Sequence, residues 1–270
     1  MTGVALPGGS RDLASMLFSE PPTVLEVPSF AWGFGGLHGG LALSLVASSM
    51  RRCVPEHSLR SITGQFHRPI RETFAIESRV IRSGRNAGAL AATGTGPDGI
   101  CLTAMAIFGS DQEHGVPVYA PDAPDVPGPD SLPTLEGLGD EVPVLGQVEL
   151  RPVGEVRPYA GAAEPTMTAW MRIEGREAPV DACSVVFFLD ALPPSYTAVL
   201  TQPRPAPTLE FSAHVTSSVP TSRWVLVRSR TVRASEGGWL TESIDAWDPE
   251  GAHLGSAQQL RLAVKPRDMV

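Results

Sequence analysis

The sequence predicts an α+β protein built from two similar halves, each a strongly curled antiparallel sheet wrapped around one buried helix. Three observations carry this. Two segments of helical length, residues 36–50 (GLHGGLALSLVASSM) and 180–192 (VDACSVVFFLDAL), are apolar or small almost all round, so neither has the polar face a surface helix turns to water. Each is followed by extended, alternating segments, residues 57–67 and 73–82 in the first half and 208–218 and 224–233 in the second. The halves also repeat: Ser78, Arg79 and Arg82 fall on Ser229, Arg230 and Arg233, and Pro97-Asp98-Gly99 falls on Pro249-Glu250-Gly251 after a one-residue adjustment.

Taken in chain order, the N-terminal MTGVALPGGSRDLAS (residues 1–15) holds no apolar run of signal-peptide length. The first apolar helix needs cover on every side, and a curled antiparallel sheet supplies it economically. That is the hotdog architecture, and two copies make a double hotdog, with residues 1–112 as the first repeat and 158–270 as the second. Residues 94–99, GTGPDG, match the GxGxxG dinucleotide fingerprint. The segment after them, ICLTAMAIF, reads as a strand, so a hairpin turn at Pro97-Asp98-Gly99 is predicted instead. Residues 113–157 are rich in proline, show no sustained period and read as a linker. The second helix starts with Asp181 in an acidic first turn and stops at Pro193-Pro194. Beyond it, Val225, Val227 and Val232 interleave with Arg228, Arg230 and Arg233 as in a half-buried antiparallel strand.

Composition removes several function classes. Twenty-one basic against 29 acidic residues give a net charge of -8, which argues against a nucleic-acid partner. Cys53, Cys101 and Cys183 are far apart and odd in number, so they read as packed, reduced thiols and not as a disulfide or zinc framework. His57, His67, His114, His214 and His253 show no ligand spacing, and no metal is predicted. The longest apolar run is well short of the roughly 20 residues of a membrane span, so a cytoplasmic location without a membrane partner is expected. There is no GxSxG, P-loop or HExxH motif.

Two features point to chemistry. Asp190 ends the run VVFFLD, where an unpaired carboxylate would be costly, so it is either exposed at the helix end or held by partners for a purpose. Gln258 and Gln259 are neighbours in a strand, which sends one of the two amides inward, where it needs partners. By the repeat, Gln259 aligns with Ile107 and Gln258 with Ala106, which favours Gln259 as the inward residue. Thr208 alone is a β-branched strand residue.

The segments FGGLHGGLAL (34–43), HSLRSITGQFHRPI (57–70), RSGRNAGALAATG (82–94), AWMRI (169–173), FFLDALPP (187–194) and LGSAQQ (254–259) together resemble the acyl-CoA thioesterase II (TesB-like) family of double hotdogs. That resemblance implies an aspartate, a threonine and a glutamine that position the attacking water, which map onto Asp190, Thr208 and Gln259. It implies an acyl-CoA substrate hydrolysed without cofactor or metal, with Asp190 as base. Backbone N–H groups at the glycine-rich entry of the first helix (Gly36, Gly39, Gly40) would meet the thioester oxygen. Where the family's first helix opens on Gly-Gly-Gln, this chain has Gly35-Gly36-Leu37 and then His38-Gly39-Gly40. His38 is therefore assigned to the substrate pocket, with one alternative: an acyl-CoA hydratase or dehydratase using His38 and Asp190. A catalytically idle acyl-CoA binding protein is the other. Arg82 and Arg85, with Arg68, are the candidates for the CoA phosphates. Association into a homo-oligomer is expected. Asp190→Asn is expected to abolish most activity with little change in stability.

Overall fold

The computed structural model describes residues 12–113, 115–216 and 222–265, so His114 and the end of the predicted 208–218 strand lie outside the described residues. A short helix α1 (Leu13–Phe18) and strand β1 (Val24–Glu26) precede the 13-residue helix α2 (Gly39–Arg51). Four strands follow: β2 (Ser58–Phe66), β3 (Thr73–Ser83), β4 (Ala87–Gly96) and β5 (Gly99–Gly109). One turn of helix, α3 (Leu138–Glu141), interrupts the connection to β6 (Val148–Pro152) and β7 (Thr166–Ile173). Helix α4 (Ala182–Ala191) and strands β8 (Thr208–Val215), β9 (Val225–Ala234), β10 (Trp239–Trp247) and β11 (His253–Leu262) complete the chain.

The strands form one antiparallel sheet in the order β1-β3-β4-β5-β2-β8-β11-β10-β9-β7-β6. The halves meet where β2 pairs with β8 around Thr63 and Ser212, whose hydroxyls lie 2.9 Å apart. Helices α2 and α4 pack against the sheet and against each other, and nearly all of their residues are buried. They run antiparallel: Gly40 meets Asp190 at one end, Ser44 Oγ donates to Cys183 O (2.7 Å) in the middle, and Arg51 pairs with Asp181 (2.9 Å) at the other.

Local chemistry explains both helix starts. Asp181 is not in the first turn of α4 but caps it, with a capping box to Ser184, while His38 Nδ1 accepts the Leu41 N–H (3.4 Å) to cap α2. Helix α2 therefore begins at Gly39, three residues later than the sequence predicts. Gly36 stays in the bend before the helix: its N-terminal neighbour Gly35 has φ +83°, and a Cβ on Gly36 would lie 2.6 Å from the Ile70 carbonyl oxygen. By length and composition, Ala182–Val199 could pass for a membrane span. It consists of α4, the Pro193-Pro194 break and a 3-10 turn at Ser195–Val199, mostly buried in the core.

Other expectations need correction. The stretch read as a linker ends in β6, which pairs with β7, and Val144, Leu145, Val148 and Leu150 are buried in the core. Five residues at a sheet edge are too few for alternation to stand out, and Pro152 masks the strand further. Cys101 and Cys183 are buried as expected, with burial pushing the Cys183 thiol up to about 12, but Cys53 is exposed. The GTGPDG segment is a hairpin: Gly96 pairs with Gly99 across Pro97-Asp98, and Gly99 has φ +108°.

Candidate active site

The C-terminus of α4 and the N-terminus of α2 converge, and β11 passes beside them. Asp190 is 8% exposed. Its Oδ2 accepts the Gly40 N–H (2.6 Å), and its Oδ1 accepts the Gln259 amide Nε2 (2.5 Å) and the Arg261 guanidinium (3.2 Å). Arg261 also donates to Gln259 Oε1, to Ala206 O (3.2 Å) and, through Nε, to Glu242 Oε2 (2.5 Å). Glu242 Oε1 is filled in turn by the Ser195 N–H (2.5 Å) and hydroxyl (2.6 Å).

Gln259 is thus the inward glutamine, 1% exposed, while Gln258 points out. The repeat alignment behind that choice was one residue off. The first hairpin turns through Pro97-Asp98, whereas the second turns between Trp247 and His253, and the longer turn moves the buried counterpart of Gln259 from Ile107 to Ala106. Ile107 is 42% exposed.

His38 Nε2 stands 3.9 Å from Asp190 Oδ2, and its ring meets Phe187 edge to face at 5.5 Å. Burial holds its pKa below the usual histidine value; nearby Asp190 opposes that shift and Arg261 reinforces it. Because Nδ1 accepts the Leu41 N–H, the ring proton of the neutral form sits on Nε2, facing the carboxylate. A Cβ on Gly40 would lie 2.5 Å from Asp190 Cβ, and one on Gly39 would lie 3.2 Å from Oδ2. Both helices can approach this closely because residue 40 has no side chain. The Gly39 N–H, first in α2, has no hydrogen-bond partner among the described residues.

The structure does not gather every expected residue. Thr208 opens β8 opposite Arg261, but its hydroxyl joins none of these hydrogen bonds. Gly36 lies before α2, packed closely against Ile70, whose carbonyl oxygen accepts the Leu37 N–H (2.7 Å). Arg82 and Arg85 lie at the β3–β4 turn, where Gly84 O contacts His57 Nε2 (3.2 Å), near the C-terminal end of α2. A helix of 13 residues, roughly 20 Å long, separates them from Asp190. Arg68 follows β2 on the site's side, and Arg71, overlooked in the sequence, donates to Gly35 O (3.1 Å) there. Arg261 and Glu242 were also missed. Strand parity could have found them: Arg261 is two residues from Gln259, and Glu242 shares the inward side with Leu240 and Ile244. Among the described residues, no group of three or more His, Cys, Asp or Glu side chains could hold a metal ion.

The fold defines the class. A hotdog protein of unknown function from Alicyclobacillus acidocaldarius superposes with a TM-score of 0.79 at 22% identity, covering 90% of this chain and 93% of that one. A tesB protein from Mycobacterium avium gives 0.73 at 20% (90% and 92% covered), and an acyl-CoA thioesterase II, TesB2, from Mycobacterium marinum gives 0.69 at 19% (85% and 90%). These likenesses make the chain a double hotdog. The acyl-CoA thioesterase N-terminal domain family matches residues 29–109 and the acyl-CoA thioesterase C-terminal domain family matches residues 120–263, so the chain belongs to the acyl-CoA thioesterase family. No curated protein sequence matches it.

The two glutamines offer a clean contrast. Gln259→Ala is expected to lower turnover on an acyl-CoA by about tenfold or more, because it removes a donor from Asp190 and an acceptor from Arg261. Gln258→Ala should stay within about twofold of the parent, since it changes a solvent-facing residue. Steady-state kinetics on both variants check this, and equal losses would contradict the inward placement of Gln259.

Proposed function

We propose that this protein hydrolyses acyl-CoA thioesters, with Asp190 acting on water through Oδ2. The observation that carries this is a count of acceptors. Glu242 Oε1 and Asp190 Oδ1 each accept at least two protein donors, whereas Glu242 Oε2 and Asp190 Oδ2 each accept one, and of these two only Oδ2 has its spare lone pair beside His38 and the glycine entry of α2. A water held there donates one proton to Oδ2. As its oxygen bonds to the thioester carbon, Asp190 takes that proton, and the C–S bond then breaks to give the acid and the CoA thiolate, which takes the proton back from Asp190 and leaves as the thiol. The unspent Gly39 N–H, at the positive end of the helix dipole, suits the developing oxyanion. No cofactor or metal enters the scheme.

The test is release of free thiol across a panel of acyl-CoA chain lengths. Thiol release that depends on enzyme supports the proposal, and an unchanged thioester over the whole panel removes it. The His38–Asp190 pair at 3.9 Å would also suit water addition to an enoyl-CoA. Product analysis separates the two readings, because hydration consumes a double bond and releases no thiol.

A further inference from the structure

Behind Asp190 lies a second buried carboxylate, Glu242, only 1% exposed. It hydrogen-bonds neither His38 nor the glycine entry of α2, and protein donors hold both of its oxygens, the Ser195 N–H and hydroxyl on Oε1 and Arg261 Nε on Oε2. One guanidinium, Arg261, therefore serves two buried carboxylates, an arrangement that is costly unless it does something a hydrocarbon could not. Its effect can be read from Gln259. An amide's oxygen and nitrogen are interchangeable in shape, so its orientation is set by its neighbours. Arginine only donates, so the atom facing Arg261 must be Oε1, which turns Nε2 to Asp190. The same Arg261 nitrogen, Nη2, also reaches Asp190 Oδ1, so both acceptors of that nitrogen belong to the site.

We propose that Arg261 is a positioning residue: locked from behind by Glu242 and Ser195, it fixes the orientation of Gln259 and pins Asp190 Oδ1 so that Oδ2 faces the substrate side. This builds on the thioesterase reading of the same site. Removing Arg261 alone leaves two buried carboxylates without a cation and threatens the fold. The first half of the chain shows a way round this. The positions corresponding to Glu242 and Arg261 are Leu90 and Phe108, both fully buried beside the counterpart of Gln259, so the architecture accepts apolar residues there.

The experiment compares the parent, Arg261→Met/Glu242→Leu and Arg261→Lys with two readouts. The first is the side-chain amide signal of Gln259 in a 15N-labelled sample, assigned by its loss in Gln259→Leu. The second is kcat and KM for acyl-CoA hydrolysis. In the double variant the amide protons should exchange at least about tenfold faster and kcat should fall about tenfold or more with KM within about twofold, because an orienting contact is lost and substrate binding is not. Arg261→Lys retains the cation but not the fork, so it should keep the fold and fall between the other two. A folded double variant with parental amide exchange and kcat would overturn the proposal. If that variant does not fold, Arg261→Lys decides: parental values in both readouts would overturn it equally. A parent that releases no thiol would sink the thioesterase reading, and the amide readout would still decide the role of Arg261.

Discussion

Asp190→Asn should lower enzyme-dependent thiol release by about a hundredfold or more, the range for loss of a general base. An amide in this place has no carboxylate lone pair to take a proton from water. The structure also predicts a stability cost that the sequence does not suggest. Gln259 Nε2 and Arg261 both donate to Oδ1, so an asparagine must put its oxygen there and point its NH2 at the Gly40 N–H, donor against donor. Leaving a buried donor unpaired costs about 1–3 kcal/mol. Thermal unfolding should therefore show a lower Tm, and kinetics must be taken well below it. A folded Asp190→Asn protein that hydrolyses acyl-CoA at the parental rate would end the assignment of Asp190 as base.

Gly40→Ala should damage stability and activity together. Its Cβ would sit 2.5 Å from Asp190 Cβ and 3.2 Å from the Phe187 carbonyl oxygen, which forces α2 and α4 apart. Overpacking of this kind costs about 1–3 kcal/mol, or a few degrees of Tm in a chain this long. The separation also stretches the Gly40 N–H bond to Oδ2, so turnover should fall by about tenfold through misplacement of the base. Gly39→Ala is the control. Its Cβ meets Asp190 Oδ2 at 3.2 Å and the Phe66 ring at 3.4 Å, contacts that small movements can relieve, and alanine favours the helix. If calorimetry finds Gly40→Ala as stable as Gly39→Ala, the close crossing of the two helices is wrong.

The architecture was legible because it rests on periodicity. Two helices without a polar face and two sets of alternating strands leave few ways to bury so much apolar surface, and the repeat fixed their number. Asp190 was legible because a lone carboxylate in VVFFLD violates the pattern around it. Arg261 and Glu242 violate it just as strongly, yet charged residues are common in strands, and only the true register shows which ones turn inward. That register depended on the length of one turn, which also misaligned Gln259 with Ile107. Arg82 and Arg85 show a different limit: exposure was inferred correctly, but which end of α2 they flank is tertiary information that no local pattern holds.

The covalent joining of the halves has a consequence for stoichiometry. Two identical single-repeat chains would have to bury the ionic cluster twice, once on each side of their symmetry axis. Here the cross-strand neighbours Glu242 and Gln259 correspond to Leu90 and Ala106, so one side carries the charges and the other is filled with hydrocarbon. The apolar half thus acts as ballast for the charged one, and each chain should bind one equivalent of a non-hydrolysable acyl-CoA analogue instead of two.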